Sequence, residues 1–108
     1  MSTSIAVIRL AGELEVGRKA EIAGALTLGG NEAAVLLDFS EVSYADSTTL
    51  TEMLRFRDEA AGAGIPVAIV IGSKQFARLI QYAGLAAAFR IFENRGEALT
   101  ELSRMTQQ

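Results

Sequence analysis

Apolar residues recur along this chain in two styles, short unbroken runs and stripes spaced three or four apart. Ser4 to Leu10 (Ser-Ile-Ala-Val-Ile-Arg-Leu) is apolar, β-branched and broken by one charge, which predicts a strand. Gly12 is placed to bend the chain, with a second short extended piece expected over Glu13 to Val16. From Arg18 to Leu28, Ala20, Ile22, Ala23, Ala25 and Leu26 keep near-helical spacing, and Gly29-Gly30 is a stop signal. Ala33 to Phe39 is continuously apolar apart from Asp38, as in a strand covered on both faces. Thr48 to Gly62 reads as the longest helix, with Leu50, Met53, Leu54, Ala60 and Ala61 inward and an Ala-Gly-Ala-Gly tail. Pro66 is tolerated at the start of the strand Val67 to Ile71. Gly72-Ser73 reads as turn and cap, Gln75 to Ala83 as a helix with Phe76, Leu79 and Ile80 inward, and Gly84 as its stop. A short strand over Phe89 to Phe92 precedes a last helix capped by Asn94 and striped by Ala98, Leu99, Leu102 and Met105.

Strands alternating with helices predict an α/β fold with right-handed crossovers and a mostly parallel sheet. The pattern leaves open whether helices cover one face or both. At 108 residues the chain is expected to form one domain, 1–108. The net charge of −3 argues against nucleic acid, whose binding needs clustered Lys and Arg. The chain has no Cys and no His, which removes disulfides, thiolate metal sites, the commonest metal ligand and the usual general base. No apolar run approaches the ~20 residues of a membrane span, and the N-terminus does not read as a secretory signal. A cytoplasmic protein without membrane insertion is therefore expected.

Chemistry concentrates between Val35 and Leu54, where a buried strand meets the longest helix. Ala45-Asp46-Ser47-Thr48-Thr49-Leu50 puts hydroxyls on the first helical turn, where free N–H groups and about half a positive charge suit a negative group. Plain capping accounts for such residues, and Thr49-Leu50-Thr51-Glu52 has capping-box spacing. Ser47 has no His or Lys in sequence reach to act as base, so no catalytic residue is expected. Asp38, Glu41 and Asp46 are too few and scattered for a hard-metal site. Asp38 is expected to cap the next turn or face solvent, and Glu41 to be solvated. Arg55 and Glu59 can pair at i,i+4, and Arg55 and Arg57 otherwise read as a solvated helix face. No cofactor loop is present, because Gly29-Gly30 lies after a helix and before a strand.

Leu-Asp-Phe-Ser followed by Val-Ser-Tyr-Ala-Asp-Ser-Thr and a helix resembles the centre of STAS domains, the module of anti-sigma factor antagonists and sulfate transporter tails. Leu10-Ala11-Gly12-Glu13-Leu14-Glu15-Val16 is similar to the family's opening. Phe76 to Leu85, Phe89-Arg90-Ile91-Phe92 and Glu97-Ala98-Leu99 are similar to its last third. The resemblance implies a single STAS-like domain, with four to five strands in a mostly parallel mixed sheet and about four helices mainly on one side. It also implies a non-enzymatic switch in which Ser47, or Thr48 as second choice, is phosphorylated by a partner kinase. On that reading Tyr44, Asp46, Ser47, Thr48, Thr49 and Glu52 form the partner-binding surface. The partners would be an anti-sigma-type serine kinase and a phosphatase. Antagonists usually carry Gly where this chain has Thr49, and a Cβ there is expected to crowd an approaching partner backbone. The alternative is an adaptor subunit of a lipid-transport complex or stressosome-like particle, without phosphate. A small-ligand module is a third class.

Overall fold

Three β-α-β crossovers step in one direction across one sheet. The structure, a computed structural model, describes residues 4–107. Residues 1–3 and 108 of the expected domain lie outside the described residues. Strands β1 (Ile5–Leu14), β2 (Ala34–Ala45), β3 (Val67–Ile71) and β4 (Arg90–Phe92) pair in the order β1-β2-β3-β4, and each pair is parallel. Helices α1 (Lys19–Ala25), α2 (Ser47–Gly62) and α3 (Lys74–Tyr82) make the connections, and α4 (Arg95–Thr106) follows β4. The sheet is thus four-stranded and parallel rather than mixed.

Right-handed crossovers that keep stepping to the next strand leave their helices on the same face. Accordingly Ile22, Met53, Phe56, Phe76 and Ile80 pack with Val35, Leu37, Phe39 and Ile69 in one core. The Phe39 and Phe76 rings stack there at 5.8 Å. Helix α4 has no further strand to join and covers the other face, where Ala98 and Leu102 meet Ala34, Leu36, Ala68 and Val70. The unbroken apolar runs of β2 and β3 therefore feed two cores by simple alternation. Three of the four α-helices share a face, as the resemblance implied.

Of the second extended piece expected after Gly12, Glu13 and Leu14 continue β1, whereas Val16 to Arg18 turn into a short 3-10 helix capped by Glu15. The strand passes through two irregularities in its pairing with β2, and Gly12 takes φ +79°, which glycine adopts without a Cβ clash. Arg18 braces that stretch by donating to the carbonyls of Ala11 at 2.8 Å and Glu13 at 2.9 Å. The ladder between β1 and β2 runs on to Leu14 and Ala45, whereas β3 stops pairing at Ile71 opposite Phe39. Ser40 to Ala45 and the end of β1 form a two-stranded ribbon beyond the rest of the sheet.

Helix α1 ends at Ala25, before the expected Leu28. The half-buried Arg55 of α2 donates to the carbonyls of Ala23 and Leu26 at 3.4 and 2.9 Å, so the helix end is satisfied without a glycine cap. Arg55 is thus an interhelical tie, not a solvated side chain, although it also forms the expected pair with Glu59. Asp38 does accept from the Ser40 N–H at 3.1 Å, but it does not face solvent: it is 3% exposed, beneath Arg9 of β1 and Arg95 of α4.

Candidate functional site

Four chain segments converge on Ala45-Asp46. The main chain of β2 ends at Ala45 because Asp46 turns into α2 as its N-cap, in extended conformation. One carboxylate oxygen, Oδ1, accepts from the N–H groups of Thr48 at 3.0 Å and Thr49 at 3.4 Å. The other, Oδ2, accepts from the Val16 N–H at 3.1 Å. The Asp46 N–H donates to the Leu14 carbonyl at 3.1 Å. Asp46 therefore binds the start of α2 to the segment leaving β1.

From the other side, Gln75 of α3 brackets Ala45. Its Oε1 accepts from the Ala45 N–H at 2.9 Å and its Nε2 donates to the Ala45 carbonyl at 2.7 Å. A side-chain amide thereby supplies both bonds that a neighbouring strand would supply, where β3 has already ended. Ser73, the cap of α3, accepts from the Phe76 N–H and donates to the Ser43 carbonyl at 3.3 Å.

This geometry sorts the hydroxyls. Ser47 is exposed as the first residue of α2, so it is not the cap; its carbonyl accepts from the Thr51 hydroxyl at 3.1 Å. Thr48 is half-buried. Thr49 is fully buried, and its hydroxyl donates to the Leu14 carbonyl at 3.2 Å. The expectation that Thr49 crowds a partner is corrected: its Cβ points inward. Nor is Thr49 the cap of a Thr49–Glu52 box, since it already lies inside the helix. Glu52 is likewise withdrawn, 7% exposed and bonded to Arg55 Nε at 2.9 Å. Of the six residues expected on a partner surface, Tyr44, Asp46, Ser47 and Thr48 reach solvent and Thr49 and Glu52 do not.

Sequence reading gave Val16 and Gln75 no structural role here and saw Arg55 only as the partner of Glu59, not as the tie to α1. The first is 65% exposed beside Asp46, and its apolar side chain in a polar segment was the one visible signal. Nothing local marks Gln75, because its partners lie thirty positions earlier. Among the described residues no three His, Cys, Asp or Glu side chains gather as metal ligands would. No helix there is long and apolar enough to cross a membrane.

Comparison with known proteins follows the same outline. A family model described as STAS domain matches residues 2–98. A sulfate transporter family protein from Wolinella succinogenes superposes with a TM-score of 0.79 at 15% identity, over 96% of this chain and 88% of that one. A putative anti-sigma factor antagonist from Thermotoga maritima gives 0.76 at 21% identity, over 89% and 86%. The anti-sigma factor antagonist SpoIIAA in its unphosphorylated form gives 0.72 at 22% identity, over 94% and 90%. No curated protein matches in sequence. At these identities the structural likeness speaks for the fold.

Proposed function

The chain belongs to the STAS domain family, and from that premise we propose that it is a cytoplasmic, non-enzymatic regulator of the anti-sigma factor antagonist type. In this reading it binds an anti-sigma-type serine kinase through the surface around Ser47, and phosphorylation of Ser47 releases it. A phosphatase would reset the switch. The observation that carries the reading is the placement of Ser47. It is an exposed hydroxyl on the first turn of a sixteen-residue helix, at the tip of the longest strand, while Asp46 does the capping. The Ser47 side chain is thus neither the cap of α2 nor buried, as an acceptor of phosphate requires.

Co-expression with serine kinases of the same genome, followed by intact mass, tests this. A mass shift of one phosphate is expected, and Ser47→Ala is expected to abolish it. If Ser47→Ala is still modified and Thr48→Ala is not, the acceptor is Thr48. If no kinase modifies the chain, the adaptor reading takes over, in which the domain serves a larger assembly without phosphate. The likeness to a sulfate transporter family protein favours that second reading, and a bait column made with the purified chain tests it.

A further inference from the structure

Val16 and Tyr44 expose large apolar surface on either side of the Asp46 turn, at 65% and 43%. Tyr44 stands directly opposite Glu13 in the ladder between β1 and β2. Directly opposed residues share a face. At the next step Leu14 and Ala45, both fully buried, fill the inner face. Glu13 and Tyr44 therefore lie on the outer face of the ribbon. Glu41, also exposed, sits further down the same ribbon, opposite Ala11.

The charges are uneven. Glu21, Glu52, Glu59 and Glu101 each pair with an arginine. Glu13 and Glu41 have no ion-pair partner among the described residues. Glu15 and Asp46 add two carboxylates already engaged by backbone N–H groups. Against them stand Arg18, which Glu21 neutralises, the exposed Lys19 and Lys74, and, further down the same face, Arg9 and Arg95, which share the carboxylate of Asp38. The patch is an apolar pair with an acidic rim.

We propose that this patch docks a protein partner that presents a basic rim around an apolar socket. The proposal rests on the reading of the Ser47 surface as a partner surface and adds the chemistry of the partner. Charge chooses among occupants. A second copy related by a two-fold axis would set Glu13 and Glu41 against their own counterparts. Anionic lipid and nucleic acid are repelled. A basic protein surface gains from Glu13 and Glu41 while Val16 and Tyr44 become dry. A basic rim would attract a phosphate on Ser47, so release on phosphorylation rests on the bulk of the phosphoryl group in the contact and not on like charge.

The test uses the full chain labelled with ¹⁵N and two synthetic peptides of equal length, one of alternating Lys and Leu and one of alternating Glu and Leu. The Lys-Leu peptide is expected to shift amides of Glu13 to Gly17 and Glu41 to Ser47. Affinity should fall about tenfold between about 50 and about 300 mM salt. The double variant Glu13→Lys with Glu41→Lys should remove the shifts while its own spectrum stays folded. Tyr44→Ala should weaken binding and keep the salt dependence. Shifts centred elsewhere, such as on Asp58 and Glu59, overturn the proposal. So do shifts that survive the double variant, or an equal response to the Glu-Leu peptide. Phosphate transfer to Ser47 is scored separately by mass. Its loss with the peptide response intact counts against the kinase alone, and the converse counts against this surface.

Discussion

At the scale of single residues, the chemistry around Ser47 is divided among neighbours that look interchangeable in sequence. Asp46, Ser47, Thr48 and Thr49 are all good caps, and spacing does not say which one turns inward. Register does: Asp46 takes the cap, Ser47 is left free, and Thr49 lands one turn further on, against Leu14. Asp46→Ala is expected to cost about 1–2 kcal/mol, because it removes the cap of α2 and strands the Val16 N–H. Asp46→Asn should recover most of that loss in urea unfolding, since an amide oxygen still caps. Ser47→Ala should change stability by no more than about 0.5 kcal/mol, as expected for an exposed residue outside the cap. Thr49→Gly reverses the expectation drawn from the missing glycine. It loses a buried hydrogen bond and the packing of a fully buried side chain, and it adds a flexible residue to a helix. A cost of about 2–3 kcal/mol is expected, with no gain in partner affinity. A gain in affinity would restore Thr49 to the surface.

At the scale of elements, apolar periodicity was enough to place each strand and α-helix, with β3 at its expected bounds, but not the last stretch of β2, Ser40 to Ala45, which runs on past the apolar run. Ends were legible only where the cap is local. Ser73 and Asn94 were readable, since each accepts from an N–H three residues on. The end of α1 and the end of β2 were not, because Arg55 and Gln75 reach them from elements distant in sequence. Gly72 was readable as a turn but not for its reason: a Cβ there would meet the Ser40 carbonyl oxygen at 2.8 Å. Gly72→Ala should therefore force β2 and β3 apart at their ends and lower stability by about 1–3 kcal/mol, measurable as a drop in urea midpoint. The same wiring shapes the response to phosphate. A phosphoryl group on Ser47 competes with Asp46 for the first N–H groups of α2. Since Asp46 also holds Val16, amide shifts on phosphorylation should appear at Glu15 to Arg18 as well as Ala45 to Met53. They should leave α4 untouched. Shifts spread through α4 and the distant sheet would show a refolding mechanism instead.

At the scale of the whole molecule, the two cores meet water differently, and one carboxylate records the difference. The face covered by α1, α2 and α3 is sealed by large side chains. The other face depends on α4, which buries only Ala98 and Leu102 fully. Beside that contact lies Asp38, the carboxylate at which β1, β2 and α4 meet. Its Oδ2 lies 3.6 Å from Arg9 and 3.7 Å from Arg95, and its Oδ1 accepts from the Ser40 N–H and hydroxyl. Burial by itself would raise the Asp38 pKa. The two Ser40 hydrogen bonds, with the charges of Arg9 and Arg95, outweigh burial and hold it below the usual carboxylate range. The sign of the linkage follows. A carboxyl whose folded pKa lies below its unfolded value adds stability that is fully present above the unfolded pKa. That stability is lost as pH falls through the folded pKa. The loss should begin near the ordinary aspartate range, about pH 4, and continue below it. Glu32, held by the N–H groups of Gly29 and its neighbours, shifts in the same direction, so the acid limb has more than one contributor. Asp38→Asn separates them. An amide oxygen still accepts from Ser40, so the fold should persist at pH 7 with reduced stability, and the acid limb should flatten. Urea midpoints from pH 7 down to about 3 measure this. Parallel curves for the two proteins across that range would mean that Asp38 does not couple α4 to the sheet through its charge.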